Sequence, residues 1–250
     1  MSAPGAKAFL AHTGKPRRIA VLLALAGCSG DTAPPRASPP LRPDPTASGE
    51  WRTLFDGRSL DQWRGFRSDG VPAGWQVVDG AITRVGHAGD LITEDMFADF
   101  ELTLEWMIAE GGNSGILYRV SEDAPETYHT GPEMQVLDDT RHSDGRSRLT
   151  AAGAVYGLYP APEGIASPAG EWNAARILVR GPHVEHWLNG AAAAAYELGS
   201  PDWEARVAAS KFREWPGYGR AASGHIALQD HGDRVAYRNI RLRAIRGADD

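Results

Sequence analysis

Nine residues in the middle of the chain, Phe100-Glu101-Leu102-Thr103-Leu104-Glu105-Trp106-Met107-Ile108, alternate apolar and polar side chains almost without fault. Successive side chains of a strand point to opposite faces, so this pattern describes an antiparallel strand buried on one side. Glu101, Thr103 and Glu105 on its other face are expected to meet solvent rather than line a groove. Helical periodicity is nearly absent elsewhere. Trp75-Gln76-Val77-Val78 and Ala81-Ile82-Thr83 flank an Asp-Gly hairpin turn, and Leu91-Ile92-Thr93 is another short strand. Trp172 to Arg180, His183 to Leu188 and the turn Asn189-Gly190 read as a β-meander. Pro201 to Phe212 holds one short helix, and the chain closes on His225 to Gln229 and Ala236 to Ile245. Turns recur at sandwich spacing, which predicts an all-β sandwich.

The stretch Gly111 to Asp139 is the one this scaffold would present. A Gly-rich turn feeds Ile116-Leu117-Tyr118-Arg119, and Glu133-Met134-Gln135-Val136-Leu137 follows after a polar loop. Alternation places Glu133, Gln135 and Leu137 on one face and Met134 and Val136 on the other. A carboxylate and an amide therefore project together from a segment with an apolar back, as a polar groove over a packed sheet requires. Eight tryptophans, with 29 glycines and 17 prolines, suit short strands, many turns and stacking platforms.

The N-terminus reads differently. Lys7, Lys15, Arg17 and Arg18 precede an apolar run from Ile19 to Ala26, too short to span a bilayer, as in a secretory signal. Leu25-Ala26-Gly27-Cys28 resembles a bacterial lipobox, with Cys28, the single cysteine, as the lipidated residue. Residues 1–27 are thus expected to be a lipoprotein signal peptide and 28–50 a Pro-rich tether, followed by the domain at 51–246. Such a protein is held to the membrane of the cell envelope, periplasmic or at the outer membrane. Removing the four leader cations from 26 Lys and Arg leaves 22 against 32 Asp and Glu, an acidic mature chain with no basic patch for nucleic acid.

Seven motifs in order carry a further resemblance. They are Leu54-Phe55-Asp56-Gly57 with Leu60 and Trp63; Gly112-Asn113-Ser114-Gly115-Ile116; Glu133, Gln135, Val136 and Asp138; Glu171-Trp172-Asn173; His186-Trp187-Leu188-Asn189-Gly190; Gly224 through Gln229-Asp230-His231-Gly232; and Arg238-Asn239-Ile240. Together they resemble the 3-keto-disaccharide hydrolase family, from Trp51 to Ile245. The resemblance implies a concanavalin A-like jelly roll of two antiparallel sheets. It also implies an exported enzyme acting on carbohydrate, on glycosides oxidised at C3, with a sugar-oxidising dehydrogenase upstream and no organic cofactor.

A ketone at C3 acidifies the C2 proton, so a base can remove it and the C1 substituent can leave by β-elimination, with hydrolysis or hydration following. That needs one base, an acid for the leaving oxygen and donors or positive charge on the enolate. Glu133 is the candidate base, His231 the candidate acid or base, and Lys211 or Arg119 the candidate charge on the ketone. Each has an ordinary alternative: a surface carboxylate, a turn-stabilising histidine, a solvated cation. Asn113, Gln135, Gln229 and Tyr156 are candidate sugar contacts beside Arg119. Glu133, Gln135 and Asp138 could instead hold a divalent ion such as Ca²⁺ or Mn²⁺. His186 reads as a satisfied, half-buried histidine. An ordinary two-carboxylate glycosidase is disfavoured, because an amide stands at the middle of Glu133-x-Gln135-x-x-Asp138. A lectin-like module without catalysis is the alternative, and the convergence of His231 and Lys211 on Glu133 is what separates the two.

Overall fold

Phe100–Ile108 is extended, as its alternation predicts, and pairs on both sides. In the computed structural model, which describes residues 49–245, the strands are Arg52–Thr53 (β1), Trp63–Gly65 (β2), Trp75–Val78 (β3), Ala81–Arg84 (β4), Leu91–Thr93 (β5), Phe100–Ile108 (β6), Asn113–Val120 (β7), Glu133–Leu137 (β8), Asn173–Arg180 (β9), His183–Leu188 (β10), Ala191–Glu197 (β11), His225–Leu228 (β12) and Val235–Ala244 (β13). One sheet runs β11-β10-β9-β6-β13-β4-β3, with β1 on β13, and the other runs β2-β5-β12-β7-β8. Neighbouring strands pair antiparallel, so the expected jelly-roll sandwich is the fold. The signal peptide, Cys28 and almost all of the tether lie outside the described residues.

The hairpin turns form where the dipeptides place them. Asp79 and Gly80 have φ of 51° and 74°, Asn189 and Gly190 of 51° and 82°. Two consecutive left-handed residues are what a tight two-residue turn between twisted strands demands. The expected helix is split in two. Pro201–Ala209 (α1) starts with the Ser200 hydroxyl accepting from the Trp203 N–H, and a 3-10 turn at Lys211–Glu214 follows. Ser210 breaks the run because its hydroxyl caps that second turn, accepting from the Phe212 N–H.

Between the sheets lie Trp63, Trp75, Phe100, Leu102, Leu104, Trp106, Ile116, Met134, Val136, Ile226 and Tyr237, all buried. The expectation of solvent outside β6 is overturned. Glu101 is fully buried, paired with Arg176 Nε at 2.5 Å and Arg243 Nε at 2.7 Å, and Glu105 holds Arg238 at 2.6 Å. The register sets Arg243 opposite Glu101 and Arg238 opposite Glu105. Trp51, Trp172 and Trp187 then cover these arginines, their ring centroids 4.8, 3.9 and 5.5 Å from the guanidinium carbons of Arg243, Arg238 and Arg176. Charges laminated under indoles lose water without losing their partners.

The far side of the five-stranded sheet is different. Ile92, Leu117, Val120 and Ala227 form a small apolar cluster there, with Phe66 and Tyr128 packed on it. Glu133 sits opposite Leu117 in the register, so this is the face that carries the groove.

Candidate active site

β7 and β8 pair with Asn113 opposite Leu137, Gly115 opposite Gln135 and Leu117 opposite Glu133. The side chain of Glu133 leans along the sheet over Gly115. A Cβ on Gly115 would come within 2.2 Å of Glu133 Oε1, so the glycine is the seat of the carboxyl. The same Cβ would also lie 2.7 and 2.8 Å from Glu133 Cδ and Cγ, so Gly115→Ala is expected to cost about 1–3 kcal/mol while displacing the carboxyl. Turnover should fall far more than the melting temperature suggests. An alanine variant with unchanged turnover would contradict that placement.

Glu133 is 6% exposed, and no hydrogen bond from the described residues to its carboxyl oxygens offsets that burial. Burial pushes its pKa up to about 8, and the Lys211 charge pulls in the opposite direction. The two share one cavity of about 400 Å³, lined by Glu133, Lys211, His231, Asn113, Gln229, Tyr156, Tyr128 and Trp215. Six of these eight are sequence candidates, drawn together from β7, β8, the end of β12, the excursion after β8 and the turn after α1.

Each is held by something specific. Tyr156 donates its backbone N–H to the Glu133 carbonyl at 3.1 Å and its hydroxyl to Asp144 at 3.3 Å. Burial, with the Asp144 charge behind it, raises the Tyr156 phenol to about 12. Lys211 Nζ lies 4.5 Å from the Tyr156 ring centroid and 5.7 Å from that of Tyr128. Gln229 donates its N–H to the Gly115 carbonyl at 3.0 Å, and its own carbonyl accepts from Ser114 Oγ at 2.7 Å. Asn113 is 3% exposed, with its Oδ1 unpartnered among the described residues. His231 is exposed at the rim, its ring 6.4 Å from that of His142 and perpendicular to it.

The segment bearing Lys211 and Trp215 is fastened by stacked rings. Tyr159, Tyr196, Trp203, Tyr218 and Phe212 follow one another at centroid spacings of 4.9, 5.2, 5.7 and 4.0 Å, nearly parallel throughout. His186 meets this column from the side, its ring edge-on to Tyr196 at 6.1 Å. It is fully buried rather than half-buried, and burial lowers its pKa to about 4. Its Nδ1–H donates to the Gly153 carbonyl at 3.3 Å, so Nε2 accepts from the Tyr118 hydroxyl at 2.9 Å. The bond to the Gly153 carbonyl ties down the excursion that delivers Tyr156.

Three candidates stand apart from the cavity. Arg119 is bulged out of β7, with φ of 51° and a register shift beside it. Its guanidinium donates to Asp99 and the Gly181 carbonyl, both at 3.0 Å, and to the Ala98 carbonyl at 3.1 Å. The bulge turns it to the sandwich edge, where it ties segments of the other sheet and cannot reach a bound ketone. Gln135 is fully buried under the excursion after β8, donating to the Thr150 carbonyl at 3.2 Å; it supports the site rather than touching a sugar. Asp138 accepts from the N–H groups of Gly111 at 2.7 Å and Thr140 at 3.0 Å, bracing the glycine turn.

The expected metal set does not assemble. Five residues of extended strand put Asp138 about 17 Å from Glu133, with its side chain on the opposite face. Among the described residues no three His, Cys, Asp or Glu side chains gather to hold an ion.

Tyr128 and Trp215 are functional candidates that sequence reasoning missed. Tyr128 stands in the 3-10 turn Thr127–His129, and Trp215 stacks on His129 at 4.4 Å and meets Tyr128 edge-on at 5.4 Å. The high tryptophan share was the one signal of such a platform, and it names no residue.

With this geometry in view, the relatives are informative. Residues 50–243 match the model of the 3-keto-alpha-glucoside-1,2-lyase-like domain. The chain belongs to that family. It is 36% identical over 233 residues to a 3-keto-disaccharide hydrolase of Bacteroides thetaiotaomicron, covering 80% of each chain. Two crystal structures from Parabacteroides distasonis, both provisionally named glycosyl hydrolases, share the fold. One has a TM-score of 0.74 at 33% identity, covering 79% of this chain and 94% of that one. The other has a TM-score of 0.63 at 28% identity, covering 78% and 100%. The resemblance drawn from the seven motifs is thus borne out, and the family spans both walls of the cavity.

Proposed function

We propose that this chain is a carbohydrate-active enzyme that cleaves 3-keto-glycosides by elimination, with Glu133 as the base at C2. The observation that carries the reading is a buried, unpartnered carboxyl with a pKa near 8, placed in one cavity with a lysine and a histidine. A base working near neutral pH on a carbon acid is best matched when its pKa is close to that of the medium. Glu133 takes the C2 proton, and the electron pair moves onto the C3 oxygen, where the Lys211 ammonium offsets the developing charge. The enolate re-forms the ketone as the C1–O bond breaks, and His231 protonates the departing oxygen. Water then adds at C1 of the enone, passing a proton back to His231, while C2 recovers its proton from Glu133, and the sum of both steps is hydrolysis.

Glu133 is the one carboxylate among the described residues lining the cavity. A retaining or inverting glycosidase uses two flanking carboxylates, so the lining favours the keto-sugar route over the ordinary one. The substrate must be made by an enzyme that oxidises C3 of an intact glycoside, a sugar-oxidising dehydrogenase. A lipid on Cys28 would keep the enzyme at the membrane of the cell envelope.

The test offers the protein a 3-keto-disaccharide and, separately, its unoxidised parent, and follows products by mass spectrometry. Release of the leaving sugar from the keto compound alone, with or without an enone, is the expected result. Cleavage of the parent at a comparable rate would overturn the C2-base reading. Binding of both without cleavage would make the chain a lectin-like module.

A further inference from the structure

Two segments far apart in the chain supply part of the wall of the catalytic cavity. The 3-10 turn Thr127–His129 brings Tyr128, and the stretch after β12 brings Gln229 and His231. Both are fastened to a third segment, the residues just before β5. One oxygen of the Asp90 carboxylate accepts from the Thr127 hydroxyl, and the other accepts from the Asp230 N–H at 2.8 Å. A single side chain thus holds the residue before Tyr128 and the residue before His231.

The mount is itself stiff. The Asp90 carbonyl accepts from the Phe66 N–H at 2.8 Å, and the Gly89 carbonyl accepts from Trp75 Nε1 at 2.8 Å. Asp230 returns the contact: its carboxylate accepts from the N–H groups of Ala88 at 2.8 Å and Gly89 at 3.0 Å, and from Arg84 Nε at 2.5 Å. The segments before β5 and after β12 therefore grip each other reciprocally, side chain to backbone in both directions. Asp90 lines a separate cavity of about 640 Å³ with Glu126 and Asp230, and it is not among the residues lining the catalytic one. It reaches a substrate only through the segments it holds.

We infer that Asp90 is a positioning residue of the reaction, setting the place of His231 and of Tyr128 through the residue that precedes each. The inference rests on the proposed role of His231 as the acid for the departing oxygen. His231 is exposed at the rim, so the backbone beneath it does most to set where its ring stands. Proton transfer needs hydrogen-bond reach, and a misplacement of about 1 Å costs on the order of 100-fold.

The test uses the full chain and two 3-keto-glucosides, with methanol and para-nitrophenol as leaving groups. Nitrophenolate departs without a proton and methoxide does not. Asp90→Ala is expected to lower kcat about 100-fold on the methyl glycoside and less than about fivefold on the nitrophenyl one. His231→Ala should show the same split, and the two losses should not add in the double variant. Asp90→Asn can still accept from the Asp230 N–H and donate to the Thr127 hydroxyl, so it should keep kcat within about threefold on both. Thr127→Val keeps the shape and cuts only the Tyr128 arm, so KM should rise about fivefold on both substrates with the kcat ratio unchanged. Equal losses of kcat in Asp90→Ala on the two substrates, or losses that add to those of His231→Ala, overturn the inference. Thr127→Val decides even where Asp90→Ala does not fold, an unchanged KM being the overturning result. If His231→Ala treats both substrates alike, or the parent turns over neither, the acid reading has failed. Nuclear Overhauser contacts between the His142 and His231 rings, 6.4 Å apart, then decide the positioning. Contacts kept in Asp90→Asn and lost in Asp90→Ala support it, and any other pattern removes it.

Discussion

Glu133→Gln is expected to leave a folded protein whose turnover of a 3-keto-glycoside falls on the order of 10³-fold. Glutamine reproduces the shape of the side chain over Gly115 and cannot take a proton. In the parent, kcat/KM should rise with pH until Glu133 is ionised, levelling above about 8. The residual activity of the variant should lack that limb. The same substitution has a stability signature of opposite sign. The folded pKa of about 8 stands above the ordinary 4.5, so the fold favours the protonated carboxyl. The stability tied to that group is complete below about pH 4.5 and is lost as pH rises through about 8. At 1.36 kcal/mol per unit the loss reaches up to about 5 kcal/mol. Glutamine removes that loss, so its advantage over the parent in urea unfolding should be small at pH 5 and large at pH 9. A gap that does not widen with pH would show that the carboxyl is not desolvated in the way the cavity floor implies.

The second large effect is expected in the ring stack. Trp203→Ala should destabilise the protein by about 4 kcal/mol, the range for emptying a buried tryptophan site. Trp203 is fully buried between Tyr196 and Tyr218, its ring within 9° and 1° of theirs. Its indole Nε1 has no partner among the described residues, so Trp203→Phe loses area but also removes an unsatisfied donor, and should cost markedly less. Because Tyr218 in turn stacks on Phe212, the residue after Lys211, the alanine variant should also raise KM below its melting temperature. A loss under about 1 kcal/mol would mean that the column is not what fastens α1 and the Lys211 turn to the sheet.

The resemblance and the alternation pointed to the same fold because both are written locally. Phe100 to Ile108 could only be a strand with one core face, and Asp79-Gly80 and Asn189-Gly190 could only be tight turns, as they are. The face of β8 that carries Glu133 was legible for the same reason. What local pattern does not contain is cover. Glu101 looked solvated because its alternation partner face is usually wet; Arg176, Arg243 and Trp51, distant in the chain, bury it. Arg119 was a candidate charge for the ketone, yet one bulge turns it to Asp99. Asp138 fell in a promising motif and is spent on two backbone N–H groups of the glycine turn.

The sequence by itself therefore determined the sandwich, its turns, the family and the strand that bears the carboxyl, since backbone geometry alternates side chains whatever surrounds them. Only the tertiary structure decided that Glu133 is dry, that Lys211 and His231 share its cavity, and that Tyr128 and Trp215 wall it. Those depend on sheet order and loop packing, which bring residues some eighty to a hundred positions from Glu133 into its cavity. Desolvation, and with it the reactivity of a carboxyl, is a property of what lies on top.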